Sequence, residues 1–123
     1  MEEQEQLSCD INKFRETIAE KDRIAVIFLG KEMPMTEGFI SALSKADQEG
    51  FFGQMELAIV PVDNQECDAL AEREEVEVLP TIKVYSRGEE VGKVVPPEGD
   101  VGYFQTIGHL IDFSGDSSPL SSL

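Results

Sequence analysis

Residues 76–85 constrain the fold of this 123-residue chain more than any other stretch. They comprise four mostly apolar residues at 76–79, then Pro80, and then five residues rich in β-branched and aromatic side chains. Proline has no N–H to donate, so Pro80 is expected at the start of the following strand and not inside it. Its ring also disfavours helical backbone at Leu79, so the chain should approach that strand in an extended conformation.

Apolar patterns along the rest of the chain predict alternating strands and helices. Strands are expected at residues 24–29, 57–60 and 82–85, the last pairing with 91–95 as a hairpin across a turn at 86–89, and residues 2–6 form at best a frayed edge strand. Helices are expected over about 11–21, 36–49, 64–75 and 101–111, the last with Val101, Phe104, Ile107 and Ile111 inward. This order predicts an α/β domain, a mixed sheet with helices on both faces, over residues 1–113. Residues 114–123 are small and polar and are predicted to be a disordered tail rich in serine.

Side chains at the element ends refine this prediction. Ser8 or Asp10 is expected to cap the first helix, and Asp63 and Asn64 the third. Pro61 is placed at the end of its strand or in a bulge, because it would break pairing in a central strand.

The central apolar run, the helix ending near Glu75, the Val-x-Val-Leu-Pro-Thr sequence and the strand closed by Ser86-Arg87-Gly88 together resemble the thioredoxin superfamily. The resemblance runs from about Leu7 to Phe113. It implies a thioredoxin-like fold with a central mixed sheet of four to five strands. In that family the matching proline is cis and borders the substrate groove, so the Leu79–Pro80 bond is expected to be cis.

The same resemblance places Met33-Pro34-Met35-Thr36 on the family's Cys-x-x-Cys loop. A methionine thioether cannot become a thiolate or exchange with disulfides, so dithiol oxidoreductase activity is not expected at this loop. Three supporting positions also depart from the family pattern: Glu32 and Leu29 replace tryptophans, and Ile27 replaces a buried aspartate. The chain is therefore predicted to be redox-inactive and not an enzyme.

The function expected from the resemblance is protein binding, as an adaptor, an assembly chaperone or a subunit, with hydrogenase-maturation accessory proteins as one example. The candidate partner groove comprises Met33, Pro34, Met35, Thr36, Leu79 and Pro80. An extended peptide would pair with the backbone beside Pro80, and the methionines would give an adaptable apolar surface. The alternative is that both methionines only cover the end of the core.

A cysteine-dependent thiol redox enzyme or sensor is the competing hypothesis, with Cys67 and Cys9 as candidate reactive thiols. Cys67 lies in the first turn of the third predicted helix, where the helix dipole favours a thiolate. It also shares an apolar stripe with Leu70 and Ala71, which favours inert packing. Cys9 precedes the first helix, and a regulatory Cys9–Cys67 bridge depends on the distance between the two helix starts.

The charge balance narrows the classes of partner. Ten basic and twenty-five acidic residues give a net charge of −15. Such a surface disfavours nucleic acid and anionic membranes, and it would attract a protein partner with a basic surface or simply be solvated. No run approaches the ~20 apolar residues of a membrane span, and the first residues do not resemble a signal peptide. Two distant cysteines do not suggest a disulfide framework, so a cytoplasmic location is expected.

No cofactor or metal is predicted. The Met33-x-Met35 spacing suits Cu(I), but two thioethers without a neighbouring cysteine or histidine make a weak ligand set. The acidic run Glu72, Glu74, Glu75 and Glu77 lacks calcium-loop spacing and is interpreted as a solvated face. His109 is expected to be exposed on the last helix.

Overall fold

The computed structural model describes residues 5–30, 36–95, 105–106 and 108–110. Within these ranges, strands and helices alternate before a final hairpin: β1 (Glu5–Gln6), α1 (Ile11–Ala19), β2 (Ile24–Gly30), α2 (Thr36–Gln48), β3 (Glu56–Val62), α3 (Gln65–Arg73), β4 (Thr81–Ser86) and β5 (Glu89–Val94). Residues 105–106 and 108–110 are also helical. The element order agrees with the one predicted from the apolar patterns.

The five strands form one mixed sheet in the order β1-β3-β2-β4-β5. β3 runs parallel to both β1 and β2, whereas β4 is antiparallel to β2 and β5 is antiparallel to β4. The predicted fold class, a mixed sheet of four to five strands in an α/β domain, is confirmed.

Strand β2 lies at the centre, and all seven of its residues are buried. Its alternate side chains enter two separate cores because successive residues of a strand point to opposite faces. Ala25, Ile27 and Leu29 pack with Leu43 of α2 and with Leu110. The intervening residues of β2 belong to the other core, whose members include residues of α1, α3 and β4: Phe14, Ile18, Leu70 and Tyr85. Helices therefore cover both faces, as predicted.

Two predicted caps hold α1 and α3 at their starts. The Asp10 carboxylate accepts hydrogen bonds from the backbone N–H groups of Asn12 and Lys13, at 3.0 and 3.1 Å. The Asn64 side chain accepts one from the backbone N–H of Cys67 at 2.8 Å. Each cap satisfies donors that a helix start otherwise leaves without a partner, which fixes where the helix begins.

The hairpin between β4 and β5 turns at Arg87 and Gly88, whose φ angles are 52° and 91°. Positive φ at both central residues suits the twist of a two-residue hairpin, and glycine adopts it without steric cost. Pro61 is the penultimate residue of β3, as expected for a residue that cannot donate to a ladder.

The carboxyl ends of β2 and β3 lie at the same edge of the sheet, since Gly30 pairs with Val62. β4 begins at that edge too, because Thr81 pairs with Phe28. The Leu79–Pro80 bond, just before β4, is cis, which confirms the expectation from the resemblance. This edge, defined by the carboxyl ends of β2 and β3, is called the carboxyl edge below.

Several predictions fall outside the described residues. Met33, Pro34 and Met35 lie in the undescribed stretch 31–35, and the predicted tail lies beyond residue 110. The four residues predicted to face inward on the last helix also lie outside the described residues. In the described part of that region, Thr106 and Leu110 are buried. His109 is exposed, as expected. No helix in the described part of the chain is both long and apolar enough to cross a membrane.

Candidate functional site

The two cysteines lie at the starts of two neighbouring helices. Cys9 directly precedes Asp10, the N-cap of α1, and Cys67 is the third residue of α3. β1 ends at Gln6, opposite Ile59 of β3, and the backbone N–H of Leu7 still bonds to the Ile59 carbonyl at 3.0 Å. Because β1 and β3 are parallel and each leads into a helix, both helices begin at the carboxyl edge.

Cys9 and Cys67 form a disulfide. Their Cα atoms are 4.9 Å apart although the residues are 58 positions apart in sequence. This separation lies within the range of about 4.4–6.8 Å that a disulfide spans without backbone movement. The Cys9–Cys67 bridge, which the sequence alone left open, is therefore present.

The disulfide corrects two interpretations of the sequence. Cys67 is only 4% exposed and lies on the apolar stripe with Leu70 and Ala71, as predicted, but its sulfur is bonded to Cys9 and does not merely fill space. Two distant cysteines also proved close enough to pair. The parallel arrangement of β1 and β3 explains this, because it brings the starts of α1 and α3 together.

A surface hollow of about 260 Å³ opens beside the disulfide. Its lining comes from the starts of α1 and α3 and from one face of α3: Cys9, Asp10, Ile11, Glu66, Ala69, Leu70 and Arg73. Cys9 is half-buried and lines this hollow, whereas Cys67 is 4% exposed and is not one of the lining residues. A reagent entering the hollow therefore reaches Cys9 before Cys67.

Two acidic side chains, Asp10 and Glu66, line the hollow beside the disulfide. Asp10 directly follows Cys9 and Glu66 directly precedes Cys67 in sequence. Arg73 lines the far end of the hollow, six residues beyond Cys67, which corresponds to about 9 Å along a helix. The end of the hollow nearest the disulfide is thus negative, and its distant rim carries a cation.

A buried polar network links the same two helices further along. Glu74, the C-cap of α3, accepts from Arg15 Nη2 at 2.7 Å and from Tyr85 Oη at 2.8 Å. Burial raises the pKa of Tyr85, and its hydrogen bond to Glu74 raises it further. The carboxylate side chain is only 3% exposed, so the interpretation of Glu74 as part of a solvated face is wrong. Its three acidic neighbours in the run, Glu72, Glu75 and Glu77, are exposed as expected.

Only part of the predicted groove lies among the described residues. Leu79 is half-buried against the core shared by α1 and α3, Pro80 is buried, and Thr36 is the first residue of α2. The hydroxyl of Thr81 donates to the Val78 carbonyl at 2.6 Å, which holds the turn before β4. The described residues contain no cluster of three or more His, Cys, Asp or Glu side chains placed to hold a metal ion.

Sequence reasoning missed the Arg15–Glu74–Tyr85 network. Arg15 lies 59 positions from Glu74, and no motif marks the pair. The one signal in the sequence is the position of Glu74, which comes just after the apolar residues Leu70 and Ala71, at the end of the predicted helix.

Comparison with known proteins identifies the fold. No protein-family model matches the sequence, and no curated protein sequence matches it either. Among solved structures, oxidised mitochondrial thioredoxin 3 from Saccharomyces cerevisiae superposes with a TM-score of 0.72 at 18% identity, covering 89% of this chain and 94% of that one. A mutant thioredoxin from Halobacterium salinarum gives 0.72 at 15% identity over 94% and 95% of the chains. Thioredoxin f2 from Chlamydomonas reinhardtii gives 0.69 at 18% identity over 87% and 96%.

The prediction of a redox-inactive binding module is wrong. It rested on the absence of cysteines from residues 33–36, but the chain carries a bonded pair elsewhere at the carboxyl edge. Solved structures named as thioredoxins share its fold. The chain has a thioredoxin-like fold, with a disulfide between the starts of its first and third helices.

Proposed function

We propose that this chain is a thiol–disulfide redox protein whose Cys9 and Cys67 interconvert between a disulfide and a dithiol. The observation that carries the proposal is the Cys9–Cys67 bond, placed beside a surface hollow that is lined by the half-buried Cys9. A bond sealed inside the core would serve packing alone, whereas this one offers Cys9 to a reagent from solution.

The reaction is thiol–disulfide exchange. A partner thiolate attacks Cys9 Sγ, the Cys9–Cys67 bond breaks, and Cys67 leaves as a thiolate while Cys9 is held in a mixed disulfide. The leaving sulfur lies in the first turn of α3, where the helix N-terminus stabilises negative charge. A second partner thiolate then attacks the partner's sulfur and releases Cys9. Two electrons and two protons pass from two partner thiols to the protein, and the partner leaves as a disulfide.

The chain lacks a Cys-x-x-Cys sequence, so its redox chemistry is assigned to the helix starts and not to residues 33–36. The similarity of fold to proteins named thioredoxins supports a thiol role without fixing its position. We also propose that the chain acts in a reducing compartment such as the cytoplasm, where disulfides of mesophilic proteins are usually transient and either catalytic or redox-sensing. The partner in this account is another protein.

Reversibility in the folded protein tests the proposal. The native protein is treated with dithiothreitol, freed of it, and reoxidised with diamide, and its thiols are counted by alkylation and intact mass at each stage. We expect two thiols to appear and disappear while circular dichroism shows a folded chain throughout. Thiols that appear only after addition of denaturant would mark a structural bond and would contradict the proposal. The variant Cys9→Ser/Cys67→Ser provides the baseline, because it has no thiol to count.

A further inference from the structure

We infer that the hollow beside the disulfide selects protein thiols flanked by basic residues, and that these thiols react at Cys9 and not at Cys67. This inference rests on the proposed redox function, whose substrate class it names.

The exposure of the two cysteines indicates the point of attack. Cys9 is half-buried and lines the hollow, while Cys67 is 4% exposed and does not line it. Exchange requires the attacking sulfur to reach one sulfur of the bond, with the other sulfur leaving on the opposite side. An attacker in the hollow therefore bonds to Cys9, and Cys67 acts as the leaving group.

The hollow suits a polypeptide segment better than a small thiol. Ile11, Ala69 and Leu70 give it an apolar lining along one face of α3 and the start of α1. Ala69 and Leu70 lie three and four residues after Glu66, and Arg73 lies seven after it, so these side chains share one helix face. An extended segment laid along that face would cover this apolar surface beside its cysteine.

Charge then selects among such segments. The attacking group is an anionic thiolate, and the acidic Asp10 and Glu66 line the hollow through which it must reach the bond. A positive side chain next to the attacking cysteine offsets this repulsion, and the net charge of −15 favours the same partner at longer range. Glutathione carries a net negative charge and is disfavoured. Arg73, about 9 Å further along α3, lies too far to reverse the sign at the disulfide.

Three capped tripeptides test the selectivity: Lys-Cys-Lys, Gly-Cys-Gly and Glu-Cys-Glu. Rates of reduction of the wild-type disulfide are measured at low salt, divided by the concentration of peptide thiolate, and compared with rates on hydroxyethyl disulfide, which is uncharged. One unit charge about 7 Å away changes a rate roughly threefold in water. We expect Lys-Cys-Lys to exceed Glu-Cys-Glu by about tenfold or more, with the ratio falling toward one in 1 M salt, where the Debye length is about 3 Å.

A matched pair of variants locates the effect. Glu66→Gln should lower the ratio by about threefold. Glu89→Gln makes the same change of charge at the opposite edge of the sheet, where Ser86 pairs with Glu89, and should leave the ratio unchanged. Equal responses of the two variants would overturn the assignment of selectivity to the hollow.

Single-cysteine variants locate the reacting sulfur. Cys67→Ser leaves Cys9 free, and Cys9→Ser leaves Cys67 free. With the symmetric disulfide of the Lys-Cys-Lys peptide, we expect Cys67→Ser to form a mixed disulfide much faster than Cys9→Ser does, measured by intact mass. Faster reaction at Cys67 would overturn the inference.

The outcomes separate the two levels of the argument. Reduction of the native disulfide without preference among the peptides would overturn the selectivity and leave the redox function standing. Failure of every peptide, and of dithiothreitol, to reduce the folded protein would overturn both.

Discussion

Arg15 and Glu74 form an ion pair at 2.7 Å between the same two helices whose starts are joined by the disulfide. Arg15 lies six residues after Cys9, and Glu74 lies seven after Cys67. The two helices must therefore run side by side in the same direction, tied at their starts by a covalent bond and at the end of α3 by a buried carboxylate. Reduction breaks the disulfide and leaves the Arg15–Glu74 ion pair in place, so the oxidised and reduced proteins should differ chiefly at the carboxyl edge.

The first prediction concerns stability. The disulfide closes a loop of 58 positions, for which the chain-entropy model gives a stabilisation of about 4 kcal/mol, and measured effects are typically about 2–4 kcal/mol. Reduction should lower the free energy of unfolding by this amount, as measured by urea denaturation with and without dithiothreitol. Cys9→Ser/Cys67→Ser should match the reduced protein and be insensitive to the reductant. A difference below 0.5 kcal/mol, as an order of magnitude, would contradict a constraint on the unfolded chain.

The second prediction concerns the buried carboxylate. Glu74→Gln removes the charge that Arg15 and Tyr85 share, and it should lower the free energy of unfolding by roughly 1–3 kcal/mol. Glu72→Gln, two positions earlier and exposed, provides the control and should change stability by less than about 0.5 kcal/mol. Equal changes in the free energy of unfolding for the two variants would contradict this prediction and would show that Glu74 is solvated like Glu72.

The third prediction concerns alkaline pH. The pKa of Tyr85 is raised above its ordinary value of 10.0 by burial and by its hydrogen bond to Glu74, so the folded protein holds the phenol proton more tightly than the unfolded chain. The resulting stability is fully present below pH 10 and should be lost progressively as pH rises above it. Tyr85→Phe should therefore lose less stability than wild type between pH 9 and 11, as measured by denaturant midpoints in pH steps. Parallel pH profiles for the two proteins would contradict this.

The residues of this network and of the disulfide show what the sequence can and cannot predict. Asn64 as a cap and Cys67 on a buried stripe follow from spacing within one helix, and both predictions are confirmed. The cis bond before Pro80 was expected from a resemblance, not from the residues alone. The order of strands and helices along the chain is predictable because the apolar periods of strands and helices are local signals.

The site itself depends on contacts between distant residues. Cys9 and Cys67 each looked like a separate helix-start residue, and only the parallel β1 and β3 strands bring them to bonding distance. Glu74 has acidic neighbours in sequence, but its partner Arg15 is 59 positions away. The absence of cysteines from residues 33–36 does not predict redox inactivity, because it says nothing about cysteines elsewhere in the chain.

The fourth prediction compares two ion pairs. Lys83 is only 2% exposed and its ammonium donates to Glu90 at 2.9 Å, whereas Arg87 and Asp22 pair at 2.8 Å with both side chains mostly exposed. Glu90→Gln leaves a buried cation without its counter-charge and should cost roughly 1–3 kcal/mol of stability. Asp22→Asn should cost less than about 0.5 kcal/mol, because water already solvates both partners. Urea denaturation of both variants checks this, and a larger cost for Asp22→Asn would contradict it.

The midpoint potential of the Cys9–Cys67 couple tests the central claim most directly. The folded protein is equilibrated in dithiothreitol redox buffers of graded potential, and the fraction of each form is measured by intact mass after acid quenching and alkylation. If the pair is a working thiol–disulfide couple, its midpoint should lie above about −300 mV, within reach of cellular thiols. A midpoint well below that value would identify a structural bond and would contradict the redox function.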